Sequence, residues 1–285
     1  MRRVLLLALL VLLALVVPAC GGGDDDAGGT PTGQETEASS QVAVIQAASR
    51  TAESSSARFS FSASLSGGAV EGSWSGEGAI ADQKGKLTLD LSGLGAGAGA
   101  FARGKTEMVT DGLVAYMKVP PSLAQALPGE KAWIKMDLAK LGEAQGIDLA
   151  QLVQFNQSNP IGALRYLRGA TQSFQTVGAE EVRGVATTRY HGTIDLRKVA
   201  AEGPPEVRKA YERVVEISGV TTIPVDVWVD ADGLARRIQY EQPLGSGQGE
   251  LRLTMDLYDF GVDVDVEIPP AKETLDLMQL LGGTQ

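Results

Sequence analysis

The chain has 285 residues, a formal charge of −10 at neutral pH and a hydrophobic content of 44%, with one cysteine and one histidine. That composition excludes disulfides, sites built on several thiolates or several imidazoles, and the basic footprint needed to hold nucleic acid or to adsorb flat on anionic headgroups. Partners are expected to be neutral, apolar or other proteins, and no metal or cofactor is anticipated.

Arg2 and Arg3 precede an apolar run, Val4 to Ala19, that closes on Cys20. The run is shorter than the roughly 20 residues a membrane span needs. A basic start, an apolar middle and a small residue before the cut make an export signal instead. Residues 1–19 are therefore expected to be a lipoprotein signal peptide, with Cys20 as a diacylglyceryl cysteine carrying further acyl groups such as palmitate. Each buried methylene contributes about 0.8 kcal/mol, so two or three chains would hold the protein permanently at the outer, extracytoplasmic face of the cell membrane. Residues 20–40 are Gly, Asp, Thr, Ser, Pro and Glu with almost nothing to bury, and are expected to form a disordered tether. A single domain is expected over 41–285.

Val42, Ile45, Ala48 and Ala52 recur at helical spacing after Ser39 and Ser40, predicting a helix from about 40 to 54. The period then changes from 3.6 to 2. Ala57, Phe59, Phe61, Ala63 and Leu65 share one face, and Arg58, Ser60, Ser62 and Ser64 the other. Val70, Trp74 and Ile80 alternate with Glu71, Ser73, Ser75 and Glu77, and Leu87, Leu89 and Leu91 with Lys86, Thr88 and Asp90. Turns are expected at Gly67-Gly68, Lys84-Gly85 and Asp111-Gly112, the last joining strands around Val109 and Val114.

From about Asp148 to Arg168 the pattern is helical, broken at Asn159-Pro160 into two helices carrying Leu152, Phe155, Leu164 and Leu167. Strands are expected at 173–181 and 185–195, a helix at 204–218, and strands at 223–229, 234–240, 249–258 and 262–268. Asp230-Ala231-Asp232-Gly233 is the hairpin turn between the first two of that last group.

Gly99, Gly104, Lys105 and Thr106 satisfy the phosphate-loop expression, but that loop needs a helix after it, and Glu107 to Val119 reads as strand. His191 lies on the polar side of its strand and is expected to be a solvated residue, not a general base. Asp230 and Asp232 are explained by turn chemistry, without the spaced ligands and closing Glu of a calcium loop. No residue demands a reaction, and the chain is not expected to be an enzyme. A sheet with one polar side must cover the other with helices, around either a solid core or a hollow. A solid interior would make the protein an envelope scaffold that docks other proteins; a hollow would make it a binder of apolar guests.

Ile223-Pro224-Val225-Asp226-Val227-Trp228-Val229-Asp230-Ala231-Asp232-Gly233-Leu234-Ala235-Arg236-Arg237 resembles a strand-turn-strand signature of the actinobacterial LppX/LprG lipoprotein family, as Tyr190-His191-Gly192-Thr193-Ile194-Asp195 resembles its preceding strand. The early helix leading into Phe59-Ser60-Phe61 is similar too. The resemblance covers about 41 to 268, and departs from the family at the Gly93 to Gly99 insertion. It implies an α+β fold: an antiparallel half-open β-barrel of about ten strands covered by three or four helices, as in LolA-type carriers. It further implies lipid binding, with a cavity that receives the acyl chains of a lipid or lipoglycan for transport, transfer or sequestration. The partners it implies are the membrane itself and an envelope transporter, with the protein a monomer. Alternation supplies the candidate lining of that cavity: Phe59, Phe61, Trp74, Leu87, Leu89, Leu91 and Val109 on strands, with Leu152, Phe155, Leu164 and Leu167 on the helices.

Overall fold

The computed structural model describes residues 37–282 apart from 68–70, 82, 95–103, 126, 130, 145, 147, 151–170, 203–204 and 244–248. Twelve strands form one sheet: β1 (Ser56–Ser66), β2 (Gly72–Ala81), β3 (Lys84–Asp90), β4 (Lys105–Asp111), β5 (Val114–Lys118), β6 (Trp133–Asp137), β7 (Thr171–Val182), β8 (Val185–Asp195), β9 (Thr222–Asp230), β10 (Ala235–Pro243), β11 (Glu250–Tyr258) and β12 (Thr274–Asp276). Their order is β12-β6-β5-β4-β3-β2-β1-β11-β10-β9-β8-β7. Every pairing is antiparallel except β12 on β6, which is parallel. β7 and β12 are the two edges, so the sheet is open, as expected of a half-barrel, with twelve strands in place of about ten.

The helices are α1 (Glu37–Glu53), α2 (Pro121–Ala124), α3 (Leu138–Glu143), α4 (Leu196–Glu202), α5 (Pro205–Ser218) and α6 (Leu277–Gly282). α1 begins three residues before the expected start, so the last residues of the anticipated tether are helical. It lies over the β7–β10 half of the sheet, where Val44 and Ala47 pack with Phe174, Tyr190, Val225, Val227, Val229 and Ala235. Polar contacts pin it at both ends. The Ser40 and Thr176 hydroxyls are 3.0 Å apart, the Arg50 guanidinium donates to the Asp232 carbonyl at 2.9 Å, and the Ala235 amide donates to the Thr51 hydroxyl at 2.8 Å. On the other half, α3 contributes Leu138 and Leu141, which pack with Leu149 and with Ala210 of α5, while Val214 of α5 and Leu277 and Met278 of α6 lie against them.

Three expectations shift. The β2–β3 turn falls at Gln83, one step earlier than anticipated; Lys84 and Gly85 already belong to β3. Residues 262–268 alternate between exposed and half-buried but form no ladder. β11, the strand they leave from, is already paired on both sides, with β1 and β10, and left-handed residues at Asp259 (φ 49°) and Gly261 (φ 75°) turn the chain out of the sheet. β6 and β12 have only five and three residues, too short for their alternation to stand out. The expected helices carrying Leu152, Phe155, Leu164 and Leu167 lie outside the described residues.

Glycines let large side chains lie flat on the inner face. A Cβ at Gly192 would meet the Phe174 ring at 2.6 Å, and one at Gly76 would meet the Phe61 ring at the same distance. Phe174 is only 2% exposed, so it has nowhere to retreat. Gly192→Ala is expected to cost about 1–3 kcal/mol through overpacking, read as a lower urea midpoint at unchanged slope; an unchanged midpoint would show that the ring can move.

Candidate functional site

The candidate site is the concave face of the sheet between β11 and β6. Because paired residues in a ladder point to the same side, register decides its membership. One row runs Leu257, Phe59, Gly78, Leu87, Met108, Met117, Ile134 and Leu275 across eight strands. A second runs Ile238, Met255, Phe61, Gly76 and Leu89, and a third Val225, Tyr240, Leu253, Ala63 and Trp74. Phe59, Phe61, Ala63, Leu87, Leu89, Met108, Leu253 and Leu257 form a buried cluster, with Trp74, Leu91, Met117, Met136, Tyr240, Met255 and Phe260 half-buried at its margin.

The structure thus brings together Phe59, Phe61, Trp74, Leu87, Leu89 and Leu91. Val109 is a correction. It pairs with Lys86 and Tyr116 on the opposite face, and its neighbour Met108, opposite Leu87, holds the inward position. Leu152, Phe155, Leu164 and Leu167 lie outside the described residues. Sequence reasoning missed Met108, Met117, Met136, Tyr240, Leu253, Met255 and Leu257. The alternation of Leu251, Leu253, Met255 and Leu257 was the signal for β11. Every methionine of this chain beyond Met1 sits in the apolar clusters of the interior.

Tyr240 lies where the two clusters meet. It touches both the cluster beneath α1 and the cluster on β1–β4, and retains accessible surface. Yet its phenol pKa is pushed up to about 12, first by removal from water and second by the neighbouring Tyr211. Tyr211, on α5, is raised by burial as well. Burial thus favours the neutral phenol although part of the side chain keeps accessible surface. Among the described residues, no buried side-chain nitrogen or oxygen lacks a hydrogen-bond partner, so the interior is free of stranded polar groups. A separate groove of about 550 Å³ between α4 and α5 is rimmed by Arg197, Arg208, Glu212 and Glu216, a charged lining unlike the concave face. There Arg208 donates to the Ala200 and Ala201 carbonyls and closes the end of α4.

The convex face is polar. The Trp228 ring has the Arg189 guanidinium 5.0 Å and the Arg237 guanidinium 5.7 Å from its centroid, and its indole N–H donates to Glu180 at 2.7 Å. Arg189 also bonds Asp226 at 2.9 Å and Glu180 at 3.2 Å, and Arg237 grips both oxygens of Asp256 at 2.6 and 2.9 Å. The indole and then Arg189 hold the Glu180 carboxyl below its usual range. His191, half exposed, has Nδ1 3.2 Å from Asp226, the same carboxylate that bonds Arg189. It is an outer-face strand residue. Lys105 and Thr106 open β4, with no helix after them, so the phosphate-loop pattern has no matching geometry. Asp230 accepts the amides of Asp232 and Leu234, as a turn residue does. Among the described residues, no group of His, Cys, Asp and Glu is placed to hold a metal, and no helix is long and apolar enough to cross a membrane.

No protein-family model matches the chain. An uncharacterized 31.2 kDa protein of Streptomyces griseus, from the rplA–rplJ intergenic region, is 33% identical over 159 residues, 54% of this chain and 50% of its own length. A protein named as a candidate lipoprotein of Streptomyces coelicolor is 30% identical over 171 residues, 59% of this chain and 50% of its own. The chain spans about half the length of these curated relatives. Among solved structures, the lipoprotein LppX of Mycobacterium tuberculosis superposes with a TM-score of 0.51 at 13% identity, covering 81% of this chain and 100% of that one. The chain has the fold of LppX, and the resemblance read from the β9–β10 hairpin is borne out at that level.

Tyr240 makes a test of how far water reaches the inner face. Its raised pKa means that the unfolded state releases a proton near pH 10, while the folded state keeps it until about pH 12. Stability contributed by the neutral phenol is therefore full below pH 10 and is lost as the pH climbs through that window. Urea midpoints measured across it should fall less steeply for Tyr240→Phe than for the natural chain. Equal slopes would place the phenol in contact with bulk water.

Proposed function

We propose that the chain is a membrane-anchored lipoprotein that binds the acyl chains of a lipid or lipoglycan in its concave hollow, for transfer or sequestration at the outer face of the cell membrane. The supporting observation is the combination of half-buried Trp74, Leu91, Met117, Met136 and Met255 on the inner face with a water-deprived Tyr240 among them. Large apolar side chains that keep free surface within an enclosure are what a solid core lacks. Methionine suits such a wall, since its unbranched, polarisable side chain conforms to guests of different shape. The fold shared with LppX, itself named a lipoprotein, and the S. coelicolor relative support the same reading.

Residues 1–19 act in this reading as the signal, Cys20 as the lipid anchor and the residues after it as a tether holding the domain near the bilayer. The ligand is the acylated lipid, the membrane is met through Cys20, an envelope transporter is the protein partner, and no chemical reaction is assigned. Burial contributes roughly 25 cal/mol per Å² of apolar surface, so two acyl tails hiding several hundred Å² gain on the order of 10 kcal/mol before ordering costs. The gain is non-directional and selects for tail number and length.

Native mass spectrometry of the protein extracted from its own envelope should show co-purifying lipid, and the soluble domain should take up a fluorescent acyl probe. An empty protein that ignores the probe would end this reading. Met255→Trp, placed where free surface remains, is expected to cut probe uptake at least about tenfold with little change in unfolding midpoint, whereas Leu89→Trp in the packed part should cost about 1–3 kcal/mol of stability. Cys20→Ser should release the protein from the membrane fraction; retention there would show that another feature anchors it.

A further inference from the structure

The groove of about 550 Å³ between α4 and α5 has Arg197 on one wall and Arg208, Glu212 and Glu216 on the other, with Ala200, Ala201 and Val215 as its apolar lining. The two helices run antiparallel. Arg208, in the first turn of α5, donates to the Ala200 and Ala201 carbonyls near the end of α4 at 3.4 and 3.5 Å, while the Leu196 amide that opens α4 donates to the Thr221 carbonyl beyond the end of α5 at 2.9 Å. Arg197 therefore lies toward the Glu216 end of the groove and Arg208 toward the other. Glu212 stands one turn from each of Arg208 and Glu216 on the same stripe of α5. Among the described residues, no ion pair joins these guanidiniums to these carboxylates. Glu216 is taken by Arg213 at 2.7 Å, whereas Arg197 and Glu212 have no charged partner. Opposite charges thus line one cavity without neutralising each other.

We propose that this groove binds a small dipolar ligand carrying a phosphate and a primary ammonium, the chemistry of phosphoethanolamine, with the phosphate on Arg197 and Arg208 and the ammonium on Glu212. The site goes beyond the acyl-binding reading and does not rest on it. Two guanidiniums and two carboxylates make the lining neutral in sum, so a purely anionic or purely cationic guest would meet repulsion from one pair, whereas a dipolar one satisfies both. Guanidinium forks match phosphate geometry, and a phosphate has oxygens enough to engage two of them at once. The carboxylate of Glu212 accepts N–H bonds, which a primary ammonium supplies and a quaternary one does not. Among the described residues the lining contains no aromatic ring, the usual seat of a quaternary ammonium. A two-carbon bridge between phosphate and amine spans about one helical turn of roughly 5 Å, the step from Arg208 to Glu212. The volume is that of a small-molecule site, and α4, with seven residues, is too short to cradle a long partner helix.

The test titrates the full chain in nonionic detergent with O-phosphoethanolamine, phosphocholine and inorganic phosphate, read by calorimetry. O-phosphoethanolamine should bind saturably, about tenfold more tightly than either of the others. Glu212→Gln is expected to erase the preference over phosphocholine, and Glu212→Asp, which keeps the carboxylate, to retain it. Arg197→Gln should weaken O-phosphoethanolamine about 3- to 10-fold and leave the preference in place. Both positions are exposed, so urea midpoints should not move. Equal affinity of the natural chain for the amine and the quaternary ligand, or no saturable binding, overturns the site. A preference that survives Glu212→Gln overturns it as well. Glycerophosphoethanolamine separates the two sources of this chemistry: binding tighter than that of O-phosphoethanolamine assigns the groove to a lipid headgroup, and weaker binding to a free phosphate monoester. Uptake of the acyl probe is a separate measurement, so failure of the groove leaves the acyl-binding reading standing.

Discussion

A wide antiparallel sheet with one apolar side creates more apolar surface than a few helices can seal. Here twelve strands present rows of inward side chains up to eight strands across, while among the described residues α1 covers one end and α3, α5 and α6 the other. Under α1 the covering is tight: Phe174 is nearly inaccessible and fits against a glycine that has no Cβ to oppose it. Between the two covers, side chains as large as Trp74 and Met255 retain free surface. Among the described residues, packing is dense under α1 and looser between the two covers.

The opposite side of the same sheet is polar and braces the strands from outside. Its strands carry a lattice of guanidinium, carboxylate and indole groups in which Arg189 and Arg237 sit over Trp228, and Glu180, Asp226 and Asp256 fix them in place. Individually exposed ion pairs contribute little, but a bidentate arginine and a doubly held carboxylate restrict geometry more than a lone pair does. The Trp-Val-Asp segment of β9 that suggested the family resemblance is part of that lattice, with Trp228 outward and Val227 and Val229 inward.

Alternation made much of the architecture legible. Phe59, Phe61 and Ala63 read as one face in sequence and stand as one face in space. The Pro at the start of α5 and the Asp-Gly of the β9–β10 turn were equally plain. Failures came where a period of two gives no anchor for its phase. Val109 and Met108 are adjacent and both apolar, and only pairing with Leu87 decides which points inward. Residues 262–268 alternate as well as any strand, but alternation does not supply a free edge to bond to. Tyr240 was missed on the inner face because a lone tyrosine in a strand ordinarily signals nothing more than a good packing residue.

The way α1 is fastened has a mechanical consequence. Its first turns are tied through Ser40 to Thr176 on the edge strand, and its last turn through Arg50 to the turn of the β9–β10 hairpin and through Thr51 to the first residue of β10. A pull along the helix from its leading end would load these ties in shear, in parallel, before any strand could peel from its neighbour. Tension entering through that end would then be shared between the margin of the sheet and the β9–β10 hairpin, leaving strands β1–β5 outside the load path.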